Sequence, residues 1–118
     1  MKKDFKQSIL KKGKTKNNHY FLVKEMKNSI KGIDKVPIVL DFEEIKNKIV
    51  GYADDFTYDK GVLYCIAHIK NLKNRTALAP GFICNELEER KGLLVPKGIK
   101  LKSIGLVNEP TQEVMYIK

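Results

Sequence analysis

Serine, cysteine and histidine, which commonly serve as nucleophile and base, are few in this 118-residue sequence. They are three serines, two cysteines and two histidines: Ser8, Ser29, Ser103, Cys65, Cys84, His19 and His68. Covalent catalysis requires a nucleophile whose proton is taken by a neighbouring base. Lys102 precedes Ser103, but adjacent strand residues point to opposite faces, so this pair does not predict a dyad. The spacing of these residues therefore indicates no catalytic pair.

Metal and cofactor sites are not indicated either. The carboxylates form three clusters that we interpret as solvent-facing turns or strand ends: Glu43 and Glu44; Asp54, Asp55 and Asp59; Glu86, Glu88 and Glu89. None has the ligand spacing of a calcium-binding EF-hand loop. The sequence also lacks CxxC, HExxH and glycine-rich phosphate-binding motifs. We therefore expect no metal and no cofactor.

Cys65 and Cys84 each interrupt an apolar strand pattern. At such positions cysteine behaves as a small buried hydrophobe, and disulfides are rare in cytosolic proteins. The apolar runs are of strand length, well below the roughly 20 residues of a membrane-spanning helix. The first residues lack the apolar stretch of a secretory signal. We therefore expect two buried cysteines, no membrane contact and a cytoplasmic location.

Positive charge is concentrated at the start of the chain. Residues 1–18 contain seven lysines and one aspartate, which supply +6 of the net charge of +9. Because KKGKTKNN has no apolar periodicity, we expect a flexible basic tail over residues 1–18 and a single domain over residues 19–118. The candidate binding residues lie in this tail and in the loop KNLKNR: Lys2, Lys3, Lys11, Lys12, Lys14, Lys16, Lys70, Lys73 and Arg75.

One amphipathic helix is predicted over residues 20–32. Its apolar stripe consists of Leu22, Met26, Ile30 and Ile33. Their spacing of three or four positions is helical, Gly32 suits a C-terminal cap, and Ser29 falls on the polar side. A second short helical turn is expected over residues 41–48, where acidic residues precede lysines.

The other patterns predict β-structure. Strands are expected at VPIVLDF, KIVGYADDFTY, GVLYCIAHIK, GFICNELEE, GLLVPKGIKL, KSIGLV and EVMYIK, with DKG and RKG as hairpin turns. With the helix, this predicts an α+β domain built on a curved, mostly antiparallel sheet or small β-barrel of about six strands. His68 lies on a strand with two apolar faces, so we expect a packed or rim residue rather than a catalyst.

Three segments, taken together, resemble the phage prohead maturation proteases and their Mu-type and prophage relatives, which share a herpesvirus-assemblin-like serine protease fold. VPIVLDFEEIKNKIVGYADDFTYDKGVLYCIAHI is similar to the family's apolar strand, VVGxV-like strand and following hairpin. ALAPGF is similar to the nucleophile strand, LSPxF or LSxGF, and GIKLKSIGLVNEPTQE is similar to the late SLVxxP segment. The resemblance covers residues 36–113 and implies the family's fold.

The resemblance fails at the reacting atoms. It places Phe42 at the position of the family's catalytic histidine and Ala79 at the position of its nucleophilic serine. Phe42 cannot accept a proton, and Ala79 has no oxygen with which to attack. No serine lies between Ser29 and Ser103, so the ALAPGF strand cannot supply one. The resemblance therefore implies a protease framework without its catalytic residues.

Three functions stay open. The resemblance implies a non-catalytic phage or prophage protein that binds capsid or scaffold proteins, in a bacterial cytoplasm or in the virion, and that could form homo-oligomers. The second function is a small β-barrel that binds nucleic acid nonspecifically through the basic residues, with Tyr52, Tyr58 or Tyr64 as stacking partners. The third is an active head-maturation protease in which Ser103 meets one of the two histidines in space.

Overall fold

The computed structural model describes residues 3–42 and 48–117. Ten strands and one α-helix lie in these ranges, and they are, in chain order, β1 (Lys3–Lys11), β2 (Gly13–Lys14), β3 (Tyr20–Phe21), α1 (Val23–Ser29), β4 (Lys35–Leu40), β5 (Ile49–Asp59), β6 (Val62–Ile69), β7 (Ala77–Ile83), β8 (Glu86–Arg90), β9 (Leu93–Lys97) and β10 (Lys100–Val107). Most of the helical turn expected over residues 41–48 lies outside the described residues.

Six strands form one sheet in the order β1-β6-β5-β4-β10-β7. All neighbours are antiparallel except β4 and β10, which run parallel. The sheet curls into a half-barrel. Two short ladders, β2 with β3 and β8 with β9, lie outside this sheet. The predicted α+β class with a curved sheet is therefore confirmed.

Both predicted hairpin turns are present. Lys60 and Gly61 join β5 to β6 with φ angles of 48° and 87°, and Lys91 and Gly92 join β8 to β9 with 50° and 83°. Positive φ at both central residues is the requirement of a type I′ turn, whose twist matches that of antiparallel strands. The glycine in each turn adopts this conformation without steric cost.

The hydrophobic core lies on one face of the sheet. On β6 its members alternate with half-buried residues, and they are Leu63, Cys65, Ala67 and Ile69. Met26 of α1 is fully buried in the same core, as the helical stripe predicts. Ser29 is also fully buried, contrary to expectation, because its Oγ donates a 2.7 Å hydrogen bond to the Met26 carbonyl and is thus satisfied without water.

The expected flexible tail over residues 1–18 is wrong for its described part. Residues 3–11 form edge strand β1, which pairs with β6 along its length. A register shift between Ser8 and Leu10 allows adjacent Ile9 and Leu10 both to be fully buried. Burial of these two side chains offsets the cost of ordering the strand.

The expected strand EVMYIK is also wrong. Residues 113–115 form a single 3₁₀ turn, and only Tyr116 makes a β-bridge, to Ala77. The Gln7 Nε2 lies 3.1 to 3.3 Å from the carbonyl oxygens of residues 114–116, and its two N–H hydrogens are shared among these acceptors and the Ser8 carbonyl. The segment thus contacts β1 and β7 through a side-chain donor and without a strand ladder.

The two cysteines differ in burial. Cys65 is buried on β6, as predicted, whereas Cys84 is exposed. The expected strand GFICNELEE is divided, since β7 ends at Ile83 and β8 begins at Glu86, and Cys84 lies in the connection. Both thiols are free.

Candidate functional site

The described residues enclose a cavity of about 320 Å³ with a largely apolar lining, which we call the apolar cavity. It lies where β7 meets the segments around residues 15–21 and 111–115. The apolar side chains that line it include Leu10, Phe21, Phe42, Ala79, Phe82 and Met115. The rings of Phe21 and Phe82 are in contact across it, with centroids 5.7 Å apart. Its volume lies at the lower end of the range for ligand and cofactor sites.

Phe42 and Ala79, the two positions indicated by the resemblance, line this same cavity. Ala79 on β7 pairs with Gly105 on β10, and the Phe42 ring lies over that glycine. A Cβ built on Gly105 would be 2.4 Å from Phe42 Cε2, and one on Gly81 would be 3.1 Å from Phe42 Cε1. The two glycines therefore form a flat backbone seat for the aromatic ring.

The loop that carries Phe42 is held in a conformation uncommon for its residues. Asp41 and Phe42 have φ angles of 51° and 61°, in the left-handed region. The Asp41 N–H donates to the Leu106 carbonyl at 3.0 Å, and Arg75 donates two hydrogen bonds, of 2.9 and 2.6 Å, to the Asp41 carboxylate. The Arg75 hydrogen bonds lower the pKa of Asp41. Backbone strain that neighbouring contacts maintain is a feature of functional sites.

Ser103 and His68, two members of the third hypothesis, lie apart in the sheet. Ser103 is buried on β10, and His68 is on β6, with β5 and β4 between these strands. Both nitrogens of His68 already have carboxylate partners. His19 lines the apolar cavity, where its Nδ1 lies 3.2 Å from the Asn17 carbonyl oxygen. The geometry gives neither histidine a contact with Ser103.

His68 is the centre of a charged group that we call the histidine cluster: His68, Asp4, Asp54 and Tyr52. Its Nδ1 and Nε2 lie 2.8 Å from carboxylate oxygens of Asp4 and Asp54, and its ring stacks on Tyr52 at 4.6 Å. The hydrogen bonds to Asp54 and then Asp4 raise the pKa of His68. Both nitrogens can donate at once only in the charged imidazolium, so the protonated ring links β1, β6 and β5.

The candidate basic residues fall into separate groups. Lys11, Lys12, Lys14 and Lys16 line an open groove of about 590 Å³, which we call the basic groove. Lys70 and Lys73 follow the far end of β6, whose first residue pairs with Lys11. Arg75 binds Asp41, Lys3 begins β1, and Lys2 is outside the described residues. The lysines around residues 11–16 and the KNLKNR loop therefore do not form one groove.

The three candidate stacking tyrosines each have a lysine ammonium over the ring. Lys35 lies 5.0 Å from the Tyr52 centroid, Lys27 lies 5.0 Å from Tyr58, and Lys6 lies 4.7 Å from Tyr64. Such cation–π pairs cover one ring face. A base stacking on that face would first have to displace the lysine.

Metal ligands do not converge within residues 3–42 and 48–117, where no group of three suitable side chains is found. Glu43 and Glu44 are outside these ranges. Asp54, interpreted from the sequence as facing water, instead lies within β5 and binds His68. In the same ranges no helix has the length and apolar character needed to cross a bilayer.

Sequence patterns missed the cavity as a site, because it is formed by segments far apart in the chain. His19 and Cys84 also line it, although neither belongs to a motif. The histidine cluster could not be located from the hairpin turn alone: the register set by the turn would place Ala53 opposite His68, and a register shift between Asp54 and Thr57 brings Tyr52 there instead. Asp4 was not detected because its segment was assigned to a flexible tail.

Comparison of the chain with protein-family models, with curated proteins and with solved structures gives no match. The resemblance to prohead proteases therefore stays a hypothesis about this chain.

Proposed function

We propose that this protein is a non-catalytic binding protein whose apolar cavity accepts an apolar segment of a partner protein. In the fuller form of the proposal, the fold is prohead-protease-like, the source is a phage or prophage, and the partner is a capsid or scaffold protein. The main support for this proposal is that Phe42 and Ala79 line the same cavity. A phenyl ring and a methyl group line the cavity where the resemblance expects a base and a nucleophile.

The cavity has the properties of an anchor site for a protein side chain. Its walls are largely apolar and include three phenylalanines, and Phe42 remains 41% exposed. Burial of apolar surface drives association, and interfaces concentrate their energy in a few large side chains that fill such pockets. The Arg75–Asp41 ion pair and the glycine seat hold one wall in place before binding, which reduces the ordering cost.

The proposal expects no hydrolysis at the two positions that the resemblance indicates. Ala79 and Phe42 supply no group that can attack or take a proton, and His68 is bound to two carboxylates. His19 and Cys84 line the cavity as polar wall residues in this account. Their contribution is recognition of a polar group at the end of an apolar segment.

A cavity-filling substitution tests the proposal. Ala79→Trp places an indole in the cavity, and Thr57→Trp places the same ring on an exposed position of β5 as the matched control. Binding to purified capsid and scaffold proteins from the same genome is measured by calorimetry, with thermal unfolding to check each fold. We expect Ala79→Trp to weaken binding at least about tenfold, which corresponds to 1.4 kcal/mol, and Thr57→Trp to leave binding unchanged. Equal affinities for all three proteins, or no binding by the wild type, would contradict the proposal.

A further inference from the structure

The basic groove adjoins the apolar cavity, with which it shares Thr15 and Thr111 as lining residues, but its four lysines do not line the cavity. It is lined by Lys11, Lys12, Lys14 and Lys16 together with residues 111–114. The four lysines lie within six residues of sequence, around the turn between β1 and β2. The sequence alone assigned them to a flexible tail, whereas the structure gathers them around one concavity.

The backbone under these lysines is fixed by hydrogen bonds. The Lys11 N–H donates to Gln112 Oε1, and Gln112 Nε2 donates to the Lys11 carbonyl, both at 2.7 Å. The Lys12 N–H donates to the Gly61 carbonyl at 2.7 Å, and the Lys16 N–H to Thr111 at 3.0 Å. Lys14 pairs with Tyr20 in the β2–β3 ladder. The ammonium groups therefore project from an ordered frame.

Within the described residues, positive charge in the groove exceeds negative charge. Glu113 is the one carboxylate among the lining residues of the described chain. Across residues 3–42 and 48–117, the ion pairs found involve none of the four groove lysines. Counterions from solvent must balance these charges, and their release on contact with a polyanion favours binding.

We propose that the basic groove binds the phosphate backbone of single-stranded nucleic acid. Lysine is a point charge that suits phosphate oxygens, whereas planar carboxylates are matched best by arginine, which the groove lacks. Five residue steps separate Lys11 from Lys16, a reach of at most about 17 Å. The four lysines therefore present their charges along one short stretch of chain, which the backbone of a single strand can follow.

Binding through the groove is independent of base identity. The three tyrosines with lysines over their rings are not groove residues. Contacts are therefore to phosphate and sugar, which position a nucleic acid without reading its sequence. Nucleic acid is thus a second class of ligand proposed for this chain, and its binding to the basic groove does not depend on the partner proposed for the cavity.

A charge-matched pair of variants tests the proposal. The groove variant changes four lysines to glutamine: Lys11, Lys12, Lys14 and Lys16. The control variant changes four lysines outside the groove to glutamine: Lys31, Lys70, Lys73 and Lys91. Binding to a labelled single-stranded oligonucleotide is measured by fluorescence anisotropy between about 50 and 200 mM salt. Thermal unfolding verifies both variants, and single changes of Lys14 and Lys16 replace the groove variant if it does not fold.

We expect the wild type to show a logarithmic salt slope near −3, about −0.7 for each of four phosphates. The groove variant loses most of this slope and at least about tenfold in affinity, and each single change removes about 0.7 of the slope. The control variant keeps the wild-type slope. Equal losses in both quadruple variants would show a general charge effect and overturn the proposal. Tighter binding of polyglutamate than of the oligonucleotide at equal charge would also overturn it, in favour of an acidic protein ligand.

Discussion

The apolar cavity and the histidine cluster are opposite in chemistry. The cavity has a largely apolar lining that includes a phenyl ring and a methyl group, those of Phe42 and Ala79. The histidine cluster has a titratable ring, and both ring nitrogens of His68 form hydrogen bonds with carboxylates, those of Asp4 and Asp54. At the two positions that the resemblance indicates, the cavity thus has neither a nucleophile nor a base, while His68 links neighbouring strands. The raised pKa of His68 is explained by its hydrogen bonds to Asp54 and Asp4 on the neighbouring strands.

Each region also depends on one glycine, and the two glycines differ in what they touch. A Cβ on Gly51 would lie 2.1 Å from the backbone oxygen of His68, whereas a Cβ on Gly105 would lie 2.4 Å from the Phe42 ring. Backbone within a sheet cannot move without breaking its ladder, but a half-exposed ring can rotate away. The first contact therefore supports the fold, and the second supports the site.

The largest predicted effect is that of Gly51→Ala. The new methyl group must displace the β6 backbone at His68, so we expect a loss of about 3 kcal/mol in the free energy of unfolding, at the upper end for overpacking. Urea denaturation measures this loss. A change below about 0.5 kcal/mol, the range of ordinary surface substitutions, would show that β5 and β6 are not packed so closely.

Gly105→Ala is expected to lower the free energy of unfolding less than Gly51→Ala does, which separates the role of the cavity from that of the sheet. The Phe42 ring is displaced but finds room in solvent, so we expect a loss of about 1 kcal/mol. Binding to the partner of the cavity is predicted to fall far more than stability does. If calorimetry finds affinity unchanged while the variant is folded, the Phe42 seat has no part in recognition.

The histidine cluster gives a pH dependence that the cavity does not. The raised pKa of His68 means that its ion pairs stabilise the fold fully below the unfolded value of about 6.5, and this contribution is lost as the pH rises through the folded pKa. We expect His68→Gln to cost on the order of 1 kcal/mol at pH 6 and less at pH 9, in line with partly exposed ion pairs. Equal effects of the substitution at both pH values would contradict this account.

The smallest effect concerns the two thiols. Burial raises the pKa of Cys65 to about 12, so this thiol stays protonated and unreactive in the folded chain. We expect a maleimide to label Cys84 alone, with no change in stability, and bound partner to slow the labelling because Cys84 lines the cavity. Mass spectrometry of peptides identifies the labelled residue. Labelling of Cys65 in the native protein would contradict the packing of β6.

The sequence predicted those elements whose signals are local. The type I′ turns at Lys60–Gly61 and Lys91–Gly92, the helical stripe around Met26 and the curved sheet were all read from short patterns. Strand β1 was missed because lysines interrupt its apolar residues, and its order comes from pairing with β6. The 3₁₀ turn was missed because Gln7, more than a hundred residues away, binds its carbonyls.

For the site, too, local sequence signals located some residues, and the others depended on contacts between distant parts of the chain. The resemblance singled out Phe42 and Ala79, and the fold brings both to one cavity. Nothing in the sequence indicated that Gly81 and Gly105 would carry the ring, since this depends on how β10 pairs with its neighbours on both sides. The division of the basic residues into groups likewise required the register of β1 on β6.

The central claim is that the cavity binds a protein segment and does not cleave it. The most direct measurement is a time course in which wild-type protein is mixed with the purified capsid and scaffold proteins, with complex formation and intact partner mass followed in the same samples. We predict a complex whose partner keeps its full mass throughout. Fragments that accumulate with time, and that disappear when Ser103→Ala replaces the wild type, would contradict the claim.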